Sequence, residues 1–161
     1  MELLPPSHLD LELFQTLCRH DEGVKNKVYD DATGLPIGPG TLVLGNPTIG
    51  VGRNVGPSGA GLRDSEIDTL FANDANYYES QSGTFDWYSG LDPIRATVVT
   101  TMIFNMGLRA FCGFHDTISC IEKRDWEGAA ANMLASHWAV QVGDRAVRLA
   151  EMMRLGVPIQ R

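Results

Sequence analysis

The stretch His20-Asp21-Glu22-Gly23, followed by Val28-Tyr29-Asp30-Asp31 and, after a detour, Thr48-Ile49-Gly50-Val51-Gly52, decides how this chain is read. Leu9, Leu11, Leu13, Phe14 and Leu17 form the apolar stripe of an amphipathic helix, with Ser7 as N-cap and Asp10 three residues on. Gly23 is its natural stop, which puts Glu22 at the helix C-terminus. The negative end of the macrodipole there disfavours a charged carboxylate and predicts a raised pKa. The plain alternative is a solvated Glu in a fraying last turn. Lys27-Val28-Tyr29 predicts a strand, and Thr48 to Gly52, with glycines alternating with β-branched residues, predicts a second. Between them Thr33 to Gly40 is turn chemistry throughout, and Thr41-Leu42-Val43-Leu44 predicts a further short strand before Asn46-Pro47.

Past Asp64 the period becomes helical. Ile67, Leu70, Phe71, Ala75 and Tyr78 share one face. Asp92-Pro93 reads as an N-cap with proline at the first helical position, and Val98 to Phe104 is apolar on most faces until Gly107. Three more helices are predicted, Asp116 to Cys120, Asp125 to Leu134 and Asp144 to Leu155, each opened by an aspartate cap. The last stops at Gly156 ahead of Pro158. The sum is an α+β chain forming one domain over residues 1–161. It has a small β-containing lobe at about 22–63, a long connecting helix at about 64–81, and a helical lobe at about 82–161 that includes the N-terminal helix.

Composition narrows the function classes. The chain has 161 residues, 43% apolar and 20% charged, which suits a globular domain with a proper core. A formal charge of −7 argues against binding nucleic acid or an anionic membrane, because both reward basic patches. No apolar run approaches the roughly 18 residues of a membrane span. The opening residues show neither a basic region nor a long apolar one, so no signal peptide is expected. Cys18, Cys112 and Cys120 match no metal-ligand spacing and leave an odd count, so buried thiols are expected and no metal or cofactor is implied.

Glu22 and Asp31 make a candidate pair for breaking a glycosidic bond. The leaving oxygen must be protonated as the bond breaks, which needs an acid still protonated near neutral pH, and Glu22 is placed to be one. The opposite face needs a group that orients water, for which Asp31 and the Thr48 hydroxyl are candidates. Strand residues far apart in sequence lie side by side in a hairpin, so the intervening loop need not separate Asp31 from Thr48. Gly50 and Gly52 leave room for close approach to the backbone. Acid pairs at this spacing are common on protein surfaces, so spacing alone carries little.

These segments resemble the active-site hairpin of the phage-type lysozymes, the T-even phage group of glycoside hydrolase family 24. Asp64-Ser65-Glu66 with Leu70 to Asp74, Met102 to Gly107, Gly113-Phe114, Asp125 to Ala130 and Ser136 to Ala146 resemble the rest of that family in the same order. The resemblance covers roughly residues 13–156. It implies a lysozyme-like fold and inverting hydrolysis of the β-1,4 bond between N-acetylmuramic acid and N-acetylglucosamine in peptidoglycan. By position Glu22 is then the general acid, and Asp31 with Thr48 holds the nucleophilic water, with the carboxyl groups about 6.5–9.5 Å apart. Phe104, Asn105, Thr117, Asn132 and Trp138 fall where the family lines its cleft, although each also reads as core or cap. Arg145 matches an arginine beside the acid and is expected to orient it. No cofactor or metal is implied, and the expected partner is the glycan strand, met by a monomer.

Three departures stand out. Residues 32–47 are longer than the family's tight hairpin, which reshapes the rim of the expected cleft. Arg53 stands where the T-even enzyme has histidine, and an ion pair with Asp74 is expected to replace the original contact. The acidic charge is unlike a wall-binding lysozyme. A chain made in the host cytoplasm without a signal would reach periplasmic peptidoglycan through a holin-type lesion or as part of a larger phage structural protein. Two other functions fit parts of the pattern: a lytic transglycosylase, which can dispense with the second carboxylate, and a catalytically silent peptidoglycan-binding module.

Overall fold

The computed structural model describes residues 11–159, so the expected cap at Ser7, its companion Asp10 and the stripe residue Leu9 lie outside the described residues. The fold is α+β. Eight α-helices, one 3-10 turn at Tyr88–Gly90 and a three-stranded antiparallel sheet are described, and the chain divides into two compact units, Met1–Asp68 and Thr69–Arg161.

In the first unit, helix α1 (Leu11–Glu22) ends at Gly23, whose φ of 68° is the left-handed geometry that lets a helix terminate. Strands β1 (Lys25–Asp30), β2 (Pro47–Gly50) and β3 (Arg53–Asn54) follow in the order β1-β2-β3. Tyr29 pairs with Thr48 and Asp30 with Pro47 across the first ladder; Thr48 pairs with Asn54 across the second. Glycines at 50 and 52, both at positive φ, turn the chain from β2 into β3.

No strand forms at Thr41 to Leu44. The Leu44 amide, with that of Gly45 just after it, instead donates to the carboxylate of Asp30, and the Thr41 amide closes a turn on Gly38 O, so these backbone groups are not offered to a ladder. The outer edge of β1 is met by Leu35 to Ile37: the Asp30 amide donates to Leu35 O at 2.9 Å and the Ile37 amide to Val28 O at 3.0 Å.

The second unit starts within helix α2 (Asp64–Ser82), which straddles the division, and continues through α3 (Pro93–Met106), α4 (Leu108–Phe111), α5 (His115–Glu122), α6 (Trp126–Leu134), α7 (His137–Val142) and α8 (Asp144–Leu155). Helix α3 is the centre of the core: Val98, Val99, Met102 and Ile103 are fully buried. Around it lie Phe111, Ile121, Met133, Trp138, Leu149 and Met153. Helices α6 and α8 form the most extensive helix pair, and alanines at 129, 130, 146 and 150 on their buried faces let the axes approach.

Asp92 caps α3 by accepting from the amides of Ile94 and Arg95, and Asp125 caps α6 by accepting from Gly128, both as expected. Two expected caps are corrected. Helix α5 starts at His115, so Asp116 is already inside it and the cap position falls to Phe114, which makes no side-chain bond. Helix α8 follows Gly143, and Asp144 is its first residue, where a carboxylate meets the helix dipole rather than a free amide. The thiols also differ from expectation. Cys120 is half-buried, but Cys112 is exposed, because it ends the short helix α4 instead of facing the core.

Candidate active site

Asp31 and Thr48 are brought together by Asn46, which the sequence marks only as the residue before Pro47. Asn46 donates its backbone N–H to Asp31 Oδ1 at 2.6 Å and its side-chain Nδ2 to Asp31 Oδ2 at 3.0 Å. Its carbonyl oxygen accepts from the Thr48 hydroxyl at 3.1 Å and from the Asp31 amide at 3.1 Å. The carboxylate is exposed and the threonine buried, so a charged group at the surface is tied to a hydroxyl in the sheet. The Asn46 amides, backbone first and side chain second, hold the Asp31 carboxyl below the usual carboxylate range, against opposition from burial and the neighbouring Asp30 charge. Gly45 makes the geometry possible, since a Cβ there would run into Asp31 Oδ1 and Ala32.

The neighbouring Asp30 has a different role. Asp31 is the first residue of the turn that follows β1 and is exposed, whereas Asp30 is the last residue of β1 and is buried, with 2% of its surface accessible. Its Oδ1 accepts from the amides of Ala32 at 3.0 Å and Gly45 at 2.9 Å, and its Oδ2 from Leu44 at 2.8 Å. Foremost among these, the Leu44 amide lowers the Asp30 pKa against the desolvation that raises it. Asp30 therefore pins the long loop, and the pinned loop delivers Asn46 to Asp31. Only the Asn46-Pro47 junction, an amide side chain at the entry to a strand, was available in the sequence to suggest this.

Glu22 is the last residue of α1; its side chain lies outside the described residues. Arg53 is held within its own unit, Nε donating to Gly61 O at 2.6 Å and Nη1 to Glu66 at 2.5 Å. Glu66 thus takes the place the sequence reading offered to Asp74. The reason is local: Glu66 sits in the first turn of α2 and reaches back to the Arg63 amide at 2.7 Å, so its carboxylate is already fixed beside β3. The Arg63 amide is the largest influence lowering its pKa, ahead of the bond from Arg53.

In the second unit, Thr117, Asn132 and Trp138 line one open cavity of about 590 Å³ with Phe114, His115 and His137. Trp138 is buried, and its indole Nε1 donates to Asn105 Oδ1 at 2.7 Å, which gives a buried N–H its acceptor and ties Asn105, itself outside the cavity lining, to a lining residue. Asn132 also reaches Cys120 Sγ at 3.5 Å. Phe104 is not in this group: it stands edge-on to Tyr78, ring centroids 5.0 Å apart, in a separate groove with Phe71 and Tyr88. Its 49% exposure also sets aside its reading as a core residue. Arg145 is exposed in the first turn of α8, and Asp74 is exposed on α2. Among the described residues no cluster of His, Cys, Asp and Glu could hold a metal ion, and no helix is long and apolar enough to cross a membrane.

Comparison with known proteins supports the resemblance. Probable T4-type lysozyme 2 of Dictyostelium discoideum is 26% identical over 160 residues, covering 87% of this chain and 92% of that protein. Probable T4-type lysozyme 1 of the same organism is 28% identical over 157 residues with the same coverage. Pre-baseplate central spike protein Gp5 of Enterobacteria phage T4 is 27% identical over 156 residues, which is 87% of this chain but 27% of Gp5. No protein-family model matches the chain.

Proposed function

We propose that this chain, similar along most of its length to the phage-type lysozymes, is a muramidase that hydrolyses the β-1,4 bond between N-acetylmuramic acid and N-acetylglucosamine in peptidoglycan. The observation that carries the reading is the coupling of Asp31 to Thr48 through Asn46. An exposed carboxylate kept ionised by fixed amides, beside a hydroxyl of defined position, is what an inverting glycosidase needs to hold and deprotonate water.

In this mechanism the Glu22 carboxyl gives its proton to the glycosidic oxygen as the bond from that oxygen to the anomeric carbon breaks. Water enters from the opposite face and forms the new bond to the anomeric carbon, its proton passing to Asp31. The product has inverted configuration, and a proton exchange with solvent resets both acids. Asn105, Thr117, Asn132, Trp138 and Phe104 are assigned to the sugars, where amides, hydroxyls and aromatic faces are the usual contacts. The protein acts on periplasmic peptidoglycan during phage infection, with no cofactor.

Turbidity clearing of chloroform-permeabilised Gram-negative cells tests the reading. Glu22→Gln and Asp31→Asn are each expected to reduce clearing by about 100-fold or more. Equal clearing by parent and Glu22→Gln refutes the assigned acid. Products ending in 1,6-anhydro-muramic acid refute hydrolysis in favour of a transglycosylase, and a parent that binds wall without clearing it is a silent module. The similarity to Gp5, a spike protein of which this chain matches 27%, favours delivery as part of a phage particle over release through a holin lesion. Detection of the protein in purified virions is the corresponding measurement.

A further inference from the structure

Asn46 does more than close a turn. All four of its hydrogen-bonding groups are engaged: N–H and Nδ2 on Asp31, the carbonyl on Thr48 and the Asp31 amide, and Oδ1 on the Ser58 hydroxyl at 3.2 Å. The orientation of the amide is dictated by chemistry. A carboxylate only accepts, so the NH2 end must face Asp31, and the oxygen is left for the Ser58 hydroxyl. Asn46 is half-buried, and Pro47 immediately after it fixes the chain as it enters β2 opposite Asp30. One residue therefore sets the separation and orientation of the two groups assigned to the water.

We propose that Asn46 is a positioning residue of the hydrolytic site, with Ser58 behind it, locking the Asp31 carboxylate to the Thr48 hydroxyl so that the attacking water has one place to bind. The inference rests on the muramidase reading and extends it to residues outside the assigned set. It also gives the long 31–46 loop a role: by pinning Leu44 and Gly45 to Asp30, the loop presents Asn46 in a register that reaches both partners.

The side chain is separable from the backbone. In Asn46→Ala the main-chain N–H and C=O still meet Asp31 and Thr48, so only the Nδ2 and Oδ1 bonds are removed. Loss of a hydrogen bond to a charged group predicts a fall in kcat of about tenfold with little change in KM. It also predicts a displaced pH profile. Asp31 works as the carboxylate, and Nδ2 helps keep it ionised against the charge of Asp30. Removing that donor raises the Asp31 pKa, so the acid limb of the activity profile moves to higher pH. Asn46→Asp, which places a second carboxylate against the first, is expected to lose more activity and to move the limb further. Ser58→Ala frees the amide without removing it and is expected to fall between parent and Asn46→Ala.

The experiment is the pH profile of peptidoglycan cleavage by the parent and these variants, alongside melting curves and an NMR titration of the Asp31 carboxyl. A displaced acid limb, a raised Asp31 titration and an unchanged melting temperature in Asn46→Ala support the proposal. A parent that cleaves while Asn46→Ala keeps its kcat and acid limb overturns the inference and leaves the muramidase reading intact. An activity loss that follows a lowered melting temperature, with the limb unmoved, overturns it as well. A parent that does not cleave overturns both readings together.

Discussion

Two neighbouring aspartates do opposite jobs, one closing strand β1 and the other opening the turn after it. Asp30, turned inward, accepts three amides from a loop that lacks regular structure; Asp31, turned outward, keeps an exposed carboxylate in a fixed orientation. Their substitutions should therefore separate stability from activity. Asp30→Asn puts an NH2 among amide donors and is expected to lower the melting temperature well beyond Asp31→Asn. The pH dependence has a defined sign. Asp30 titrates below its ordinary value in the folded chain, so its contribution is present above that ordinary value and fades as pH falls through the folded one. The gap in melting temperature between parent and Asp30→Asn should accordingly narrow below about pH 4. Arg53 belongs on the structural side of the same division. It joins β3 to the loop at Gly61 and to the first turn of α2, while its Nη2 is buried without a partner. Arg53→Ala is expected to depress the melting temperature more than it depresses kcat, and equal melting temperatures for variant and parent contradict this.

At the level of elements, the start of α3 is fastened to the end of α8 by one side chain. Arg95 pairs with Asp92 at 2.7 Å, donates to the carbonyl oxygens of Met153 at 2.7 Å and Arg154 at 2.9 Å, and lies over the Trp126 ring at 4.2 Å. It thereby satisfies two of the carbonyls a helix terminus leaves open. Gly156 ends α8 at φ 68°, and a Cβ on it would collide with the Arg95 guanidinium. Gly156→Ala is expected to cost about 1–2 kcal/mol from backbone geometry alone, read from denaturant melts, before any displacement of Arg95. Lysine at 95 should not restore stability, because a single ammonium cannot span two carbonyls, a carboxylate and an aromatic face. The helices with strong caps were legible in the sequence: Asp92, Asp125 and the stop at Gly156 did what their residue types predict. Helices α4 and α7, of four and six residues, carried too short a period to be seen. The strand expected at Thr41 to Leu44 failed for another reason. Its residues have strand propensity, but a buried carboxylate fourteen residues earlier takes the Leu44 amide and a local turn takes that of Thr41. Asp31 and Thr48 could be named from their types and order. Asn46 could not, because its role depends on a register that only the folded loop creates.

For the molecule as a whole, the charge of −7 bears on how it meets its proposed polymer. An acidic protein approaching an anionic wall is repelled at long range, and salt screens that repulsion over a Debye length of about 8–10 Å. Clearing rates are expected to hold level or rise from about 10 mM to about 150 mM salt, where a basic wall-binding protein would slow. A steep fall over that range would mean that local basic surface, not the net charge, governs encounter. The pinned loop carries a further consequence, for engineering. Its closing bonds lie at its two ends, at Ala32 to Ile37 and at Leu44 to Asn46, whereas Gly38 to Leu42 form an exposed tip bonded only to itself, Gly38 to Thr41. A peptide spliced between Gly38 and Gly40 would replace only the small Gly38–Thr41 turn and be displayed on a platform whose feet are already clamped. The tip is thus a natural place to graft a wall-targeting sequence without retuning the carboxylate beneath it.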